Sequence, residues 1–137
     1  MYIRLDSNPS YTAQNFLLEG ILSQARALGF PEHTYFCFLL YDDDQKVQGG
    51  IKGSNFYGSL YIDYIYVAPD LRGQGYGRAL LKAAEDWGTS QDCSFATLTT
   101  MSFEAKDFYQ HIGYQIEFEQ QGYLNGASMF YLRKDLI

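Results

Sequence analysis

Between Leu60 and Trp87 the chain reads LYIDYIYVAPDLRGQGYGRALLKAAEDW, and this stretch constrains what the rest can fold into. Leu60 to Val67 is an apolar run of Tyr, Ile and Val interrupted by one charge, Asp63, as expected of a central strand apolar on both faces. It stops at Ala68-Pro69-Asp70, since proline cannot donate to a ladder and restrains its predecessor. Arg72-Gly73-Gln74-Gly75-Tyr76-Gly77 follows, and then a helix with Tyr76, Leu80, Ala83 and Trp87 at i, i+4, i+7 and i+11. The order is strand, glycine turn, amphipathic helix.

Glycines at the mouth of a helix let the backbone approach a ligand while unpaired N–H groups and the helix dipole point at it, a geometry suited to a pyrophosphate. A dinucleotide fingerprint would need G-x-G-x-x-G and an acid about 20 residues on. Here the spacing is Arg72-x-x-Gly75-x-Gly77, and no Walker lysine is present. A nucleotide-binding α/β domain is thereby disfavoured, and a turn without a ligand is the bland alternative.

Around this stretch the pattern is regular. Tyr2 to Asp6 alternates as a first strand would. Asn8-Pro9 reads as the cap and first residue of a helix of about 19 residues, packed on a sheet through Leu18, Ile21, Leu22, Ala25 and Leu28 and stopped at Gly29. Thr34–Tyr41 and 46–52 read as two strands joined by Asp42-Asp43-Asp44-Gln45, where three acids suit a solvated turn better than a metal. Gly49-Gly50 suggests a bulge or close approach, and Gly53-Ser54-Asn55 a turn into the central strand. After the helix, 88–92 reads as a polar connection and 94–101 as a strand parallel to the central one. Ser102 is expected to cap a helix bearing Ala105, Phe108, Tyr109 and Ile112. The segments 114–119 and 128–133 then close the sheet as a hairpin.

The glycine turn resembles the Q/R-x-x-G-x-G/A motif of the GNAT superfamily of N-acetyltransferases, on Arg72, Gly75 and Gly77. A second segment, SFEAKDFYQHIGY from Ser102 to Tyr114, resembles the family's N-x-x-A-x-x-F/L-Y-x-x-x-G-F/Y through Ala105, Phe108, Tyr109, Gly113 and Tyr114. It departs from it with Ser102 in the asparagine position. The resemblance implies a GNAT acyl-CoA N-acyltransferase fold, an α/β fold with a mixed, mostly antiparallel sheet flanked by helices and a splayed central strand, over a single domain spanning 1–137. It also implies transfer of an acetyl group from acetyl-CoA, as co-substrate and without metal, to a primary amine by direct attack in a ternary complex. On the same ground Tyr109 is the expected general acid toward the leaving thiolate. Ile65, Tyr66 and Val67 would hold the thioester and pantetheine, and Arg72, Gly73, Gln74, Gly75, Tyr76, Gly77 and Arg78 the pyrophosphate. Ser102 would take over the pantetheine contact of the asparagine. Asp63, the only acid inside the central strand, is the candidate base or acceptor contact, with pairing to a neighbouring strand as the plain alternative. His33 and His111 are read as surface or packing residues.

Composition narrows the partners. One domain's worth of chain, 47% apolar and 18% aromatic, excludes disorder. A net charge of −6 argues against nucleic acid and weakly favours a cationic acceptor, a small amine or a protein amino group. Local cations for an anionic cofactor are Arg72, Arg78, Lys82 and Lys106. No apolar run suits a membrane and no secretion signal is evident, so a cytoplasmic protein is expected, with Cys37 and Cys93 as free core thiols. The aromatic load, including Phe56, Tyr57, Tyr123 and Phe130, suggests a homodimer through the closing hairpin. The competing class is an acyl-CoA-binding sensor or scaffold with little or no catalysis, favoured by Ser102 and by the short first helical region.

Overall fold

A computed structural model describes residues Met1 to Ile137, which group into two compact units, 1–32 and 33–137. The first unit holds helix α1 (Tyr11–Ala27), capped by the Ser10 hydroxyl, which accepts from the Ala13 N–H at 3.1 Å. The cap is thus Ser10 rather than Asn8, and the helix has 17 residues. No residue of α1 is buried. Tyr2 to Asp6 is not a strand: alternation alone is not enough without a partner to hydrogen-bond, and it has none.

The second unit carries β1 (Thr34–Tyr41), β2 (Val47–Phe56), β3 (Ser59–Val67), α2 (Tyr76–Ser90), β4 (Phe95–Met101), α3 (Lys106–His111), β5 (Gln115–Gln120) and β6 (Met129–Asp135). They form one six-stranded sheet in the order β1-β2-β3-β4-β6-β5, with every pairing antiparallel except β3 with β4. The core lies between the sheet and α2, around Ile51, Leu60, Leu81, Ala84, Ala96 and Leu132.

Helix α2 buries Leu80, Leu81, Ala84 and Gly88, a face turned slightly from the expected Tyr76-Leu80-Ala83-Trp87 stripe. It also extends to Ser90, into the expected connection at 88–92. Gly88 explains this, because a Cβ there would meet three Leu60 side-chain carbons at 3.2 Å. The glycine is a flat seat for the central strand, not a helix stop.

Gly53 and Ser54 are likewise inside β2, not a turn. A Cβ on Gly53 would collide with the Tyr61 carbonyl oxygen, so only glycine fits. At this point the β2–β3 register shifts: Lys52 pairs with Tyr64 and Gly53 with Ile62, leaving Asp63 as an extra, exposed residue. This bulge lets Ile62 and Ile65, three positions apart, both face the core, while Tyr64 and Tyr66 stay exposed on the other face. The central strand is therefore buried on one face only. Cys93 is buried as expected, but Cys37 is exposed, since it alternates with the inward-facing Phe36 and Phe38 on β1. Phe130 is a core residue rather than spare surface.

Asp42 justifies the turn reading of the three aspartates. Its carboxylate accepts from the Asp44 and Lys46 N–H groups and from the Gln48 amide, and these bonds hold it below the usual carboxylate range. The expected closing hairpin forms as β5 and β6, with β6 the inner strand, paired to β4 as well as β5.

Candidate active site

The parallel ladder between β3 and β4 is short. It joins Ser59, Leu60 and Tyr61 to Phe95, Ala96 and Thr97 and ends there, just before the Asp63 bulge. Bulges bend a strand and increase its twist. From Ile62 to Val67, β3 parts from β4, which continues against β6 as far as Met101. The side of β3 facing away from β2 is left without a ladder there.

A cleft of about 640 Å³ opens at this parting. One wall is the end of β3, Ile65 to Val67. A second is the glycine turn and the first turn of α2. A third is the end of β4 and the start of α3, with Thr100, Phe103, Glu104, Ala105, Phe108 and Tyr109. Of the thirteen residues expected from sequence, ten line it: Tyr109, Ile65, Tyr66, Val67, Arg72, Gly73, Gly75, Tyr76, Gly77 and Arg78.

The turn is shaped for backbone exposure. Gly73 and Gly75 have φ of +77° and +91°, and Gly75 is the left-handed cap of α2, whose first intrahelical bond is Ala79 N–H to the Gly75 carbonyl. The N–H groups of the first turn before Ala79 have no acceptor inside the helix. The Arg72 Nε donates to the Val67 carbonyl at 2.8 Å, and its guanidinium lies 5.5 Å from the Tyr66 ring centre, fastening the turn to the end of β3. Gly77 serves packing, since a Cβ would lie 3.2 Å from the Phe108 ring of α3. Arg72 and Arg78 bring positive charge to the cleft. By contrast, Lys82 pairs with Asp86 and Lys106 covers the Phe130 ring at 4.8 Å.

Tyr109 is the buried phenol of the third wall, packed against Phe108 and Tyr114 with ring centres 5.3 and 6.0 Å away. Burial, and then the nearby Glu104 carboxylate, push it up to about 12, so it remains protonated at any ordinary pH. Behind it the Tyr114 hydroxyl donates to Glu85 at 2.9 Å, and Lys134 pairs with the same carboxylate at 2.8 Å.

Three expected residues stand apart from the cleft. Gln74 turns back, its amide donating to the Asp70 carbonyl at 3.2 Å. Ser102 does not cap α3, which starts at Lys106 after Ala105; it is tied to the start of β6 instead. Its hydroxyl accepts from the Ser128 N–H at 3.0 Å and its N–H donates to the Ser128 carbonyl at 2.8 Å. Asp63 is solvated on the bulge. His33 packs against Phe56 and Tyr57, and the His111 Nδ1 meets the Asp107 carbonyl. Sequence reading missed Leu71, Thr100, Phe103 and Glu104 as cleft residues. What they share is adjacency to the parting strands, visible only once the ladder's end is known.

The sequence profile of the Acetyltransferase (GNAT) family matches residues 4–114. The chain belongs to the GNAT acetyltransferase family. An acetyltransferase of Agrobacterium fabrum is 34% identical over 73 residues, which is 53% of either chain, so the match spans about half that relative's length. A blasticidin-S acetyltransferase of Streptomyces morookaense is 29% identical over 104 residues, 75% of this chain and 74% of the relative. Among solved structures, a provisionally assigned acetyltransferase from Agrobacterium tumefaciens superposes with a TM-score of 0.90 at 25% identity, covering 98% of this chain and 99% of the other. An acetyltransferase from Bacillus cereus shares the fold, with a TM-score of 0.81 at 22% identity and coverage of 98% and 99%.

GNAT acetyltransferases use acetyl-CoA as co-substrate. The cleft presents unladdered backbone at the end of β3, helix-start N–H groups without an intrahelical acceptor, and two arginines. No group of three or more His, Cys, Asp or Glu side chains is placed to hold a metal ion, and no helix is long and apolar enough to cross a membrane.

Proposed function

We propose that this GNAT domain, spanning 1–137, transfers an acetyl group from acetyl-CoA to a primary amine by direct attack in a ternary complex in the cytoplasm. The observation that carries the reading is the convergence of three features on one cleft: the unladdered end of β3, the glycine turn fastened by Arg72, and the buried phenol of Tyr109.

In this reading the first turn of α2, with Gly73, Gly75, Tyr76, Gly77, Arg72 and Arg78, binds the pyrophosphate. Ile65, Tyr66 and Val67 pair with pantetheine as an added strand would and aim the thioester carbonyl. Gln74 and Ser102 act indirectly, by holding the turn to Asp70 and the end of β4 to β6. The neutral amine nitrogen attacks the carbonyl carbon. A C–N bond forms, and backbone N–H groups of β3 donate to the oxyanion. The C–S bond then breaks with its electron pair on sulfur, and Tyr109 donates to that sulfur. A phenol near 12 is a weaker acid than an ordinary thiol near 8.5, so full transfer in water would be uphill. Drying of the cleft by the bound donor raises the thiol as well and narrows the gap. The amine proton leaves through water, with Asp63 its solvated receiver at the bulge.

The named acceptors of relatives do not transfer at these identities. The test is thiol release from acetyl-CoA with a panel of amines, beside calorimetric acetyl-CoA binding. Tyr109→Phe is expected to lower kcat on the order of 100-fold while leaving the acetyl-CoA Kd within about twofold. Wild-type binding without turnover of any amine, and no change on Tyr109→Phe, would leave an acyl-CoA-binding module instead.

A further inference from the structure

On the sheet face opposite α2, a second hollow of about 540 Å³ lies over β1, β2 and β3. Its shape follows from register. Leu39, Gly50 and Tyr66 stand in one cross-strand row, and Cys37, Lys52 and Tyr64 in the next. Gly50, with no side chain, leaves a trough between Leu39 and Tyr66. A Cβ there would lie 2.9 Å from the Leu39 side chain and 2.8 Å from the Phe38 carbonyl oxygen. The walls are the exposed apolar surfaces of Leu39, Val47, Tyr64 and Tyr66. Tyr66 lines both this trough and the cleft beside α2, so the two hollows meet at that residue.

The charges there select a chemistry. Lys52 is the one charged side chain lining the trough, its Nζ 5.9 Å from the Tyr64 ring centre. No carboxylate lines it. Asp42, which the lining residue Gln48 meets through its amide, is already occupied by two backbone N–H groups. A polyamine or other cationic chain would find one like charge and no carboxylate among the lining side chains.

We propose that the acceptor is a small amine bearing a flat apolar body and a carboxylate. The body lies in the Gly50 trough against Tyr64 and Tyr66, the carboxylate on Lys52, and the amino nitrogen at the Tyr66 end. This rests on the acetyl-transfer reading and corrects the weak inference from net charge, because the local charge at the trough is positive although the chain's is −6.

The experiment compares kcat/KM at saturating acetyl-CoA for phenylalanine, its decarboxylated counterpart phenethylamine, spermidine, and a short peptide with a free amino terminus. Calorimetric acetyl-CoA binding is run on the same samples. Phenylalanine is expected to exceed phenethylamine by roughly fivefold, the scale of one partly exposed ion pair, and spermidine by more. Lys52→Gln abolishes that ratio without changing the acetyl-CoA Kd, and Lys52→Glu turns the preference toward spermidine. Acetyl-CoA binding with spermidine or the peptide preferred, with none of the four accepted, or with a ratio that survives Lys52→Gln, overturns the acceptor assignment alone. Failure to bind acetyl-CoA overturns the underlying reading and the assignment together.

Discussion

Strands β3 and β4 behave as two different structures along their length. In the first half, Leu60 and Ala96 are fully buried, paired, and capped by the flat seat of Gly88 on α2. In the second half the same strands diverge past the Asp63 bulge, and the freed edge faces a cleft. Free backbone in a folded interior is costly unless something hydrogen-bonds to it. The paired half therefore makes the domain stable, and the parted half leaves backbone groups free at a cleft.

The sharpest way to break this contrast is in the paired half. Leu60→Ala removes a side chain that is 0% exposed and is expected to lower stability by about 3 kcal/mol in urea unfolding, with the acetyl-CoA Kd of the folded protein within about twofold of wild type. A large loss of affinity would show that the halves are not separable.

Alkali probes the parted half. Tyr109 and Tyr114 are both pushed above the ordinary tyrosine value of 10.0 by burial, Tyr109 to about 12. A group whose pKa is raised on folding contributes stability that is complete below its unfolded value and is lost as pH rises through its folded value. Stability should hold to about pH 10 and fall through pH 12, the Tyr109 share being about 3 kcal/mol. Tyr109→Phe should flatten that limb, leaving only the contribution of Tyr114. A limb unchanged by the substitution would mean that Tyr109 is wet. Because the phenol stays protonated, turnover should show no alkaline loss from Tyr109 below about pH 10.

Smaller effects test the fastening of the turn and the bulge. Arg72→Ala removes the bond to Val67 and a charge from the cleft, and should weaken acetyl-CoA about tenfold in calorimetry. Asp63→Asn, outside the cleft, should lower kcat/KM by no more than about threefold. A hundredfold loss would put the carboxylate in direct contact with the acceptor.

Much of this was legible in the chain. The Leu60–Trp87 pattern specifies strand, turn and helix because proline and glycines punctuate it, and β1 reads directly from its aromatic run. The bulge was hidden, because Ile62-Asp63-Tyr64-Ile65 reads as a continuous strand with one charge in it until Gly53 on the neighbouring strand shows where the register slips. For the same reason Gly53 and Gly88 looked like breaks although both are close-packing positions, and glycine's two uses cannot be told apart without the partner. Ser102 looked like a cap because it precedes a helix, but its partner Ser128 is 26 residues on.

The central claim is that acetyl-CoA occupies the parted half. It is tested most directly by following backbone amide resonances of isotope-labelled protein during acetyl-CoA titration. The account predicts saturable shifts at Ile65 to Val67 and Gly73 to Arg78, with Ser59 to Tyr61 and Phe95 to Thr97 nearly still. No saturable shift, or shifts centred on the paired half or on the Gly50 trough, would contradict it.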